Sequence, residues 1–215
     1  MTIKKHFSVA AMVIAISSCA ATQTVLEHGT LIVNTQQSKT IFMDPALQTE
    51  KKIFISVKNN TEEELQIIPS LKERLSQNGY KILKSPNSAH YVLQINILQI
   101  GKLSASASSS ALGGGFGSSL IGATAGSAMG GLTKASDGVV VGGLSGGILG
   151  MAADALVKDV SYTIVTDVQI TQHQAKNHQR YRTRIISKAN QVNLKFKEAK
   201  PLLEKGLVTA ISGIF

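Results

Sequence analysis

A chain of 215 residues in which 22 Lys and Arg oppose 13 Asp and Glu carries a formal net charge of +9. No zinc-finger spacing, aromatic ribonucleoprotein motif or continuous Lys/Arg stripe accompanies that charge, which argues against a nucleic-acid reader; acidic headgroups or lipopolysaccharide phosphates suit it better, and a solvated basic face with no specific partner is the simplest reading. The single cysteine excludes an internal disulfide.

In chain order, Lys4 and Lys5 precede an apolar run from Phe7 to Ile16, the order of an export signal. Ile16, Ser17, Ser18 and Cys19 then form a bacterial lipobox, with an aliphatic residue three positions before the cysteine and small residues directly before it. Residues 1–18 are expected to leave as the signal peptide. Cys19 is then the lipidated first residue, carrying a diacylglycerol and an N-acyl chain, and no other cofactor is expected. Each buried acyl methylene adds about 0.8 kcal/mol, so several chains anchor stably. Ala20, not Asp, follows the cysteine, which permits passage to the outer membrane of a Gram-negative cell.

Residues 19–102 read as the first half of a soluble domain. Lys52 to Val57 alternates as a short strand, and Thr61 with Glu64 has the spacing of a capping box before a helix carrying Leu65, Ile68, Leu71 and Leu75. Pro69 falls inside that pattern, so a kink or restart is expected there. Asn78 and Gly79 stop the helix. Tyr91 to Ile100 is the next strand, with Tyr91, Leu93, Ile95 and Ile97 on one face.

Residues 103–153 change character. Fourteen of the 19 glycines lie between Gly113 and Gly150, and no charged side chain occurs from Leu103 to Thr133. Gly122, Gly126 and Gly130, then Gly138, Gly142, Gly146 and Gly150, recur at four-residue spacing, which places each series on one helix face. Glycine inside a helix costs about 1 kcal/mol relative to alanine, so close helix packing must offset the accumulated loss, and smooth small-residue faces are how helices associate in lipid. A flexible linker is the simpler alternative, but linkers of that kind are polar, whereas Leu, Ile, Val, Ala and Met interleave here. Ala111 to Leu132 would span roughly 33 Å as a helix, enough to cross a hydrocarbon layer of about 30 Å, whereas Gly138 to Ala153 would reach only roughly 24 Å. Thr133, Lys134, Ala135, Ser136 and Asp137 join the two runs as a wet tip and a candidate specificity surface.

Residues 154–215 complete the soluble domain. Val160, Tyr162, Ile164, Val168 and Ile170 alternate with polar residues as a half-buried strand, and Tyr181 to Ser187 is its neighbour across the polar segment Thr171 to Arg180. A closing helix puts Phe196, Ala199, Leu203, Leu207, Ile211 and Ile214 on one face, with Pro201 in its first turn or kinking it. The fold class is therefore α+β: a small mixed sheet with two amphipathic helices, interrupted by a glycine-zipper-like apolar helical hairpin inserted between two central strands.

The stretch from Gly150 to Ile170, GMAADALVKDVSYTIVTDVQI, and that from Tyr181 to Leu203, YRTRIISKANQVNLKFKEAKPLL, resemble the TraT family of plasmid-encoded outer-membrane lipoproteins. The likeness extends to the lipobox, the glycine region and the Gly79-Tyr80 turn. It implies a non-enzymatic protein that forms a large symmetric homo-oligomer among outer-membrane lipids. The implied function is surface exclusion, which hinders mating-pair formation with donors of related plasmids, with a donor pilus or donor outer-membrane protein as partner and complement resistance as a further property. Where relatives carry a longer polar insertion, only the Thr171 to Arg180 connection remains here.

Catalytic chemistry is not legible. His173 and His178 form a pair without a third ligand, so no metal site is expected. No Gly-x-Ser-x-Gly elbow and no phosphate-binding Gly-x4-Gly-Lys motif occurs. Asp154 and Asp159 mark the base of the glycine region rather than an acid and base pair. The competing reading is a structural or pore-forming glycine-zipper envelope lipoprotein, but Ser118, Ser119, Thr124 and Ser127 are too scattered to line a channel.

Overall fold

The computed structural model describes residues 30–45, 47–120, 159–174 and 177–215. Their elements are β1 (Ile32–Gln37), β2 (Lys52–Asn59), α1 (Ile67–Gln77), β3 (Lys81–Leu83), β4 (Tyr91–Lys102), α2 (Ala105–Gly114), β5 (Asp159–His173), β6 (His178–Val192) and α3 (Phe196–Ser212), with short 3-10 turns at Gln48–Glu50 and Pro86–Ser88. The strands form one sheet in the order β1-β6-β5-β4-β2-β3. β2 runs parallel to β3 and to β4, and every other pair is antiparallel. The α+β class and the mixed sheet agree with the sequence.

The alternation in β4 acts as expected: Tyr91, Leu93, Ile95 and Ile97 are all buried. They meet Leu71 and Leu75 of α1 and Ala199, Leu203, Leu207 and Ile211 of α3 in one core. Each such large apolar side chain contributes about 1.5–3 kcal/mol on burial. A bulge between Ile97 and Gln99 then shifts the register. Ile100 thereby regains the core face while Leu98 turns to the other side of the sheet.

Several expectations give way to tertiary contacts. The Thr61–Glu64 capping box does not form: Thr61 Oγ1 donates to Asn59 Oδ1 at 2.7 Å, and α1 begins only at Ile67. That start puts Ile67 in the core and leaves Ile68 exposed. Pro69 is the third residue of α1, where its missing N–H has no intrahelical partner to lose, so it neither kinks nor restarts the helix. Pro201 lies inside α3, which continues through it. β1 and β3 carry no strong alternation and were not legible.

β5 and β6 are longer than their sequence pattern suggests. They pair from Asp159↔Val192 to His173↔His178, so the connection contracts from Thr171–Arg180 to residues 174–177. Nor is β5 half-buried along its length, because Thr163, Val165 and Asp167 on its second face are buried as well. The cover comes from α2. Its start is capped by Ser104, whose Oγ accepts the N–H of Ala107 at 3.1 Å. Leu103 and Ala111 pack with Val165 and Ile186 in a second cluster. The helix ends at Gly114, and Gly115 leaves it with φ +68°. A continuous helix from Ala111 to Leu132 is therefore not formed, and residues 103–120 belong to the sheet's second layer.

Candidate functional site

The segment that leads into the glycine region is held by one buried side chain. Arg184 in β6 stands directly across from Asp167 in β5, and both are buried. The guanidinium donates from Nε to Asp167 Oδ1 at 2.7 Å and from Nη2 to Asp167 Oδ2 at 3.1 Å. Its other N–H groups reach the Ala111 carbonyl at 3.1 Å, the Ser118 hydroxyl at 2.6 Å and the Ser118 carbonyl at 3.0 Å. All five guanidinium donors are thus used. Asp167 Oδ2 also accepts the N–H of Gly117 at 2.8 Å.

Two left-handed glycines make this geometry accessible. Gly115 has φ +68° and Gly117 φ +76°, so the backbone doubles back after α2 and presents both an N–H and a carbonyl to the ion pair. Burying two charges is costly unless every hydrogen-bonding site is filled, and the 111–118 backbone fills them. The pair is therefore a clamp: the sheet supplies the charges, and the segment approaching the glycine region supplies their solvation.

Neighbouring residues extend the clamp. Arg184 N–H donates to Ser38 Oγ at 2.9 Å, and Thr183 Oγ1 donates to the Lys39 carbonyl at 2.8 Å, tying the chain after β1 to β6. Arg182 donates from Nε to Gln169 Oε1 at 2.7 Å and lies 5.3 Å over the Phe116 ring. At the end of the β5–β6 pair the rings of His173 and His178 approach to 4.7 Å. His173 is pushed below its ordinary pKa by burial, then by His178 and His90. Among the described residues no group of three or more His, Cys, Asp or Glu is placed to hold a metal ion.

The residues singled out in the sequence fall elsewhere. Cys19, the glycines at 122, 126, 130, 138, 142, 146 and 150, and the tip Thr133, Lys134, Ala135, Ser136 and Asp137 lie outside the described residues. Among the described residues no helix is long and apolar enough to cross a membrane. Both flanks of the glycine region do return to one sheet, since β4 and β5 are adjacent antiparallel strands. The sequence does not mark Arg184, and it offers Ser118 only as a scattered polar residue of the glycine region, not as a partner of Arg184. The available signal is an acid, Asp167, in the alternating middle of β5, eight residues from the Asp159 that opens the strand, with Arg180, Arg182 and Arg184 alternating on its neighbour.

The family model of the enterobacterial TraT complement resistance protein matches residues 30–177 and 171–215. A TraT complement resistance protein of Escherichia coli is 34% identical, with 94% of this chain and 93% of the relative covered. The one from Wigglesworthia glossinidia brevipalpis is 27% identical, with 92% and 90% covered. The two family segments meet at the β5–β6 connection. An alignment with a further E. coli relative runs to 244 positions against the 215 residues here, so that relative has residues without a counterpart in this chain. Among solved structures, a PelC dodecamer from Paraburkholderia phytofirmans aligns over 85% of this chain and 97% of its own at 11% identity, with a TM-score of 0.35, too slight a likeness to bear on function.

Proposed function

The chain belongs to the TraT complement resistance family, and from that membership we propose that it is a non-enzymatic outer-membrane lipoprotein that mediates surface exclusion. On a cell holding a conjugative plasmid it hinders mating-pair formation with donors of related plasmids, and it confers resistance to complement. Acyl chains on Cys19 anchor it. Copies associate through the glycine faces from Gly122 to Gly150, and the Thr133–Asp137 tip meets the incoming donor.

The observation that carries this reading is the way the domain holds the insertion. Residues 121–158 lie between adjacent antiparallel strands, and the approach to them is locked by Arg184 and Asp167. Specificity usually resides in loops displayed on such a rigid support. A scaffold of this kind supports obstruction and recognition rather than turnover.

The test is conjugation into recipients with no protein, wild-type protein or Cys19→Ser. Wild type should depress transfer from donors of related plasmids, and Cys19→Ser should restore it while abolishing palmitate incorporation. Equal transfer into all three, with wild type at normal level in the outer membrane, would overturn the exclusion reading. Exchanging Thr133–Asp137 for a relative's tip should change which donors are excluded, and survival in serum tests complement resistance separately.

A further inference from the structure

The sheet edge formed by residues 30–42 gathers side chains that suit neither water alone nor a protein core. β1 is paired on one side only. Beyond it the chain continues beside β6, with Lys39 N–H donating to Thr183 Oγ1 at 3.3 Å. Along this edge Ile32 is 49% and Phe42 84% exposed. Next to Phe42 lies a groove of about 610 Å³ whose charged lining is wholly cationic: Lys39, Arg180 and Arg182. Among the described residues no carboxylate lines it, and the nearby Asp167 is consumed by Arg184. Arg182 also lies over Phe116, a second partly exposed aromatic ring.

Three cations with no carboxylate beside them among the described lining residues call for anions. A soluble phosphate would serve the cations but leave Phe42 in water. A bilayer surface serves both, since aromatic rings settle at headgroup depth and long basic side chains reach the phosphates. The edge begins at Thr30, eleven residues after Cys19. An extended chain covers at most about 3.3–3.6 Å per residue, so an anchor at Cys19 would hold this edge near the same membrane surface. We propose that the edge 30–42 lies along the membrane, with the phosphates of anionic lipids seated between Lys39, Arg180 and Arg182 and Phe42 at the boundary of headgroup and acyl chain. This inference rests on the lipid-anchor reading above and adds which face of the domain the membrane meets.

The chain has no tryptophan, so Phe42→Trp introduces a single local reporter, with Leu202→Trp on α3 as control. The full lipidated chain is reconstituted into vesicles of phosphatidylcholine alone or mixed with phosphatidylglycerol, some with brominated acyl chains. The reporter at position 42 should shift to the blue and be quenched in the mixed vesicles. That response should be lost on adding Lys39→Gln, Arg180→Gln and Arg182→Gln together, and the reporter at position 202 should stay silent. Full-chain protein that floats with vesicles while position 42 is silent overturns this proposal and leaves the anchor standing. Protein that does not float overturns both. The same shift produced without vesicles, by inorganic phosphate or by raising the protein concentration, assigns the edge to a soluble anion or to a second copy and also overturns the proposal.

Discussion

Glu204 of α3 accepts the backbone N–H of Gln66 at 2.9 Å, so the start of α1 is capped by a residue 138 positions downstream. The cap joins the two helices that cover the main core, and it stands in for the local Thr61–Glu64 box that the chain does not form.

Glu204→Ala should therefore destabilise the domain by about 1 kcal/mol, the usual cost of losing a helix cap, while Thr61→Ala should change stability by less than about half of that. Urea denaturation midpoints compare the two. A larger loss for Thr61→Ala would show that the local box caps α1 in solution.

Arg184→Met leaves the Asp167 carboxylate buried without its counter-charge and should cost about 3–5 kcal/mol. Adding Asp167→Leu should recover part of that loss, because both charges are then gone and only the Ala111, Gly117 and Ser118 groups lose partners. Amide exchange at Gly117, whose N–H meets Asp167, should accelerate in the single variant beyond what global unfolding explains. A loss under about 1 kcal/mol, typical of an exposed pair, would mean that water reaches the clamp.

Gly206 sits where α3 crosses β1 and β6. A Cβ there would lie 2.5 Å from Thr35 Oγ1 and 2.8 Å from Ser187 Oγ, two hydroxyls that contact each other at 3.0 Å. Gly206→Ala gains about 1 kcal/mol in helix propensity, yet the crowding should make it net destabilising. In a Thr35→Ala, Ser187→Ala background the same change should become stabilising. Thermal midpoints of the four proteins decide the sign.

Burial pushes the Tyr91 phenol up to about 12, with Tyr80, Glu50, Tyr181 and Asp44 acting in the same direction. The fold favours the neutral phenol, so its contribution is fully present below the unfolded value near 10 and is lost as pH rises towards 12. Wild type should lose up to about 3 kcal/mol relative to Tyr91→Phe across that window. Parallel denaturation curves at pH 9 and pH 12, values chosen to bracket the titration, should diverge only at the higher pH.

The sequence by itself determined the elements whose burial repeats at short range. The period of two in β4 and the spacing of Ala199, Leu203, Leu207 and Ile211 in α3 each describe one face that must be covered, and that requirement holds whatever covers it. The class and the position of the glycine insertion between two strands followed from the same patterns. Tertiary structure alone decided the rest. An Ala- and Ser-rich segment carries too weak an apolar stripe to announce α2, which is placed by Leu103, Ala111 and the demand of Arg184 for backbone carbonyls. Gly115 and Gly117 look in sequence like part of a glycine series but serve a turn, because only their left-handed backbone brings an N–H to Asp167. Cap, clamp and cover all join residues far apart in the chain, and a pattern read over a few neighbours holds no record of which distant group will supply a missing hydrogen bond.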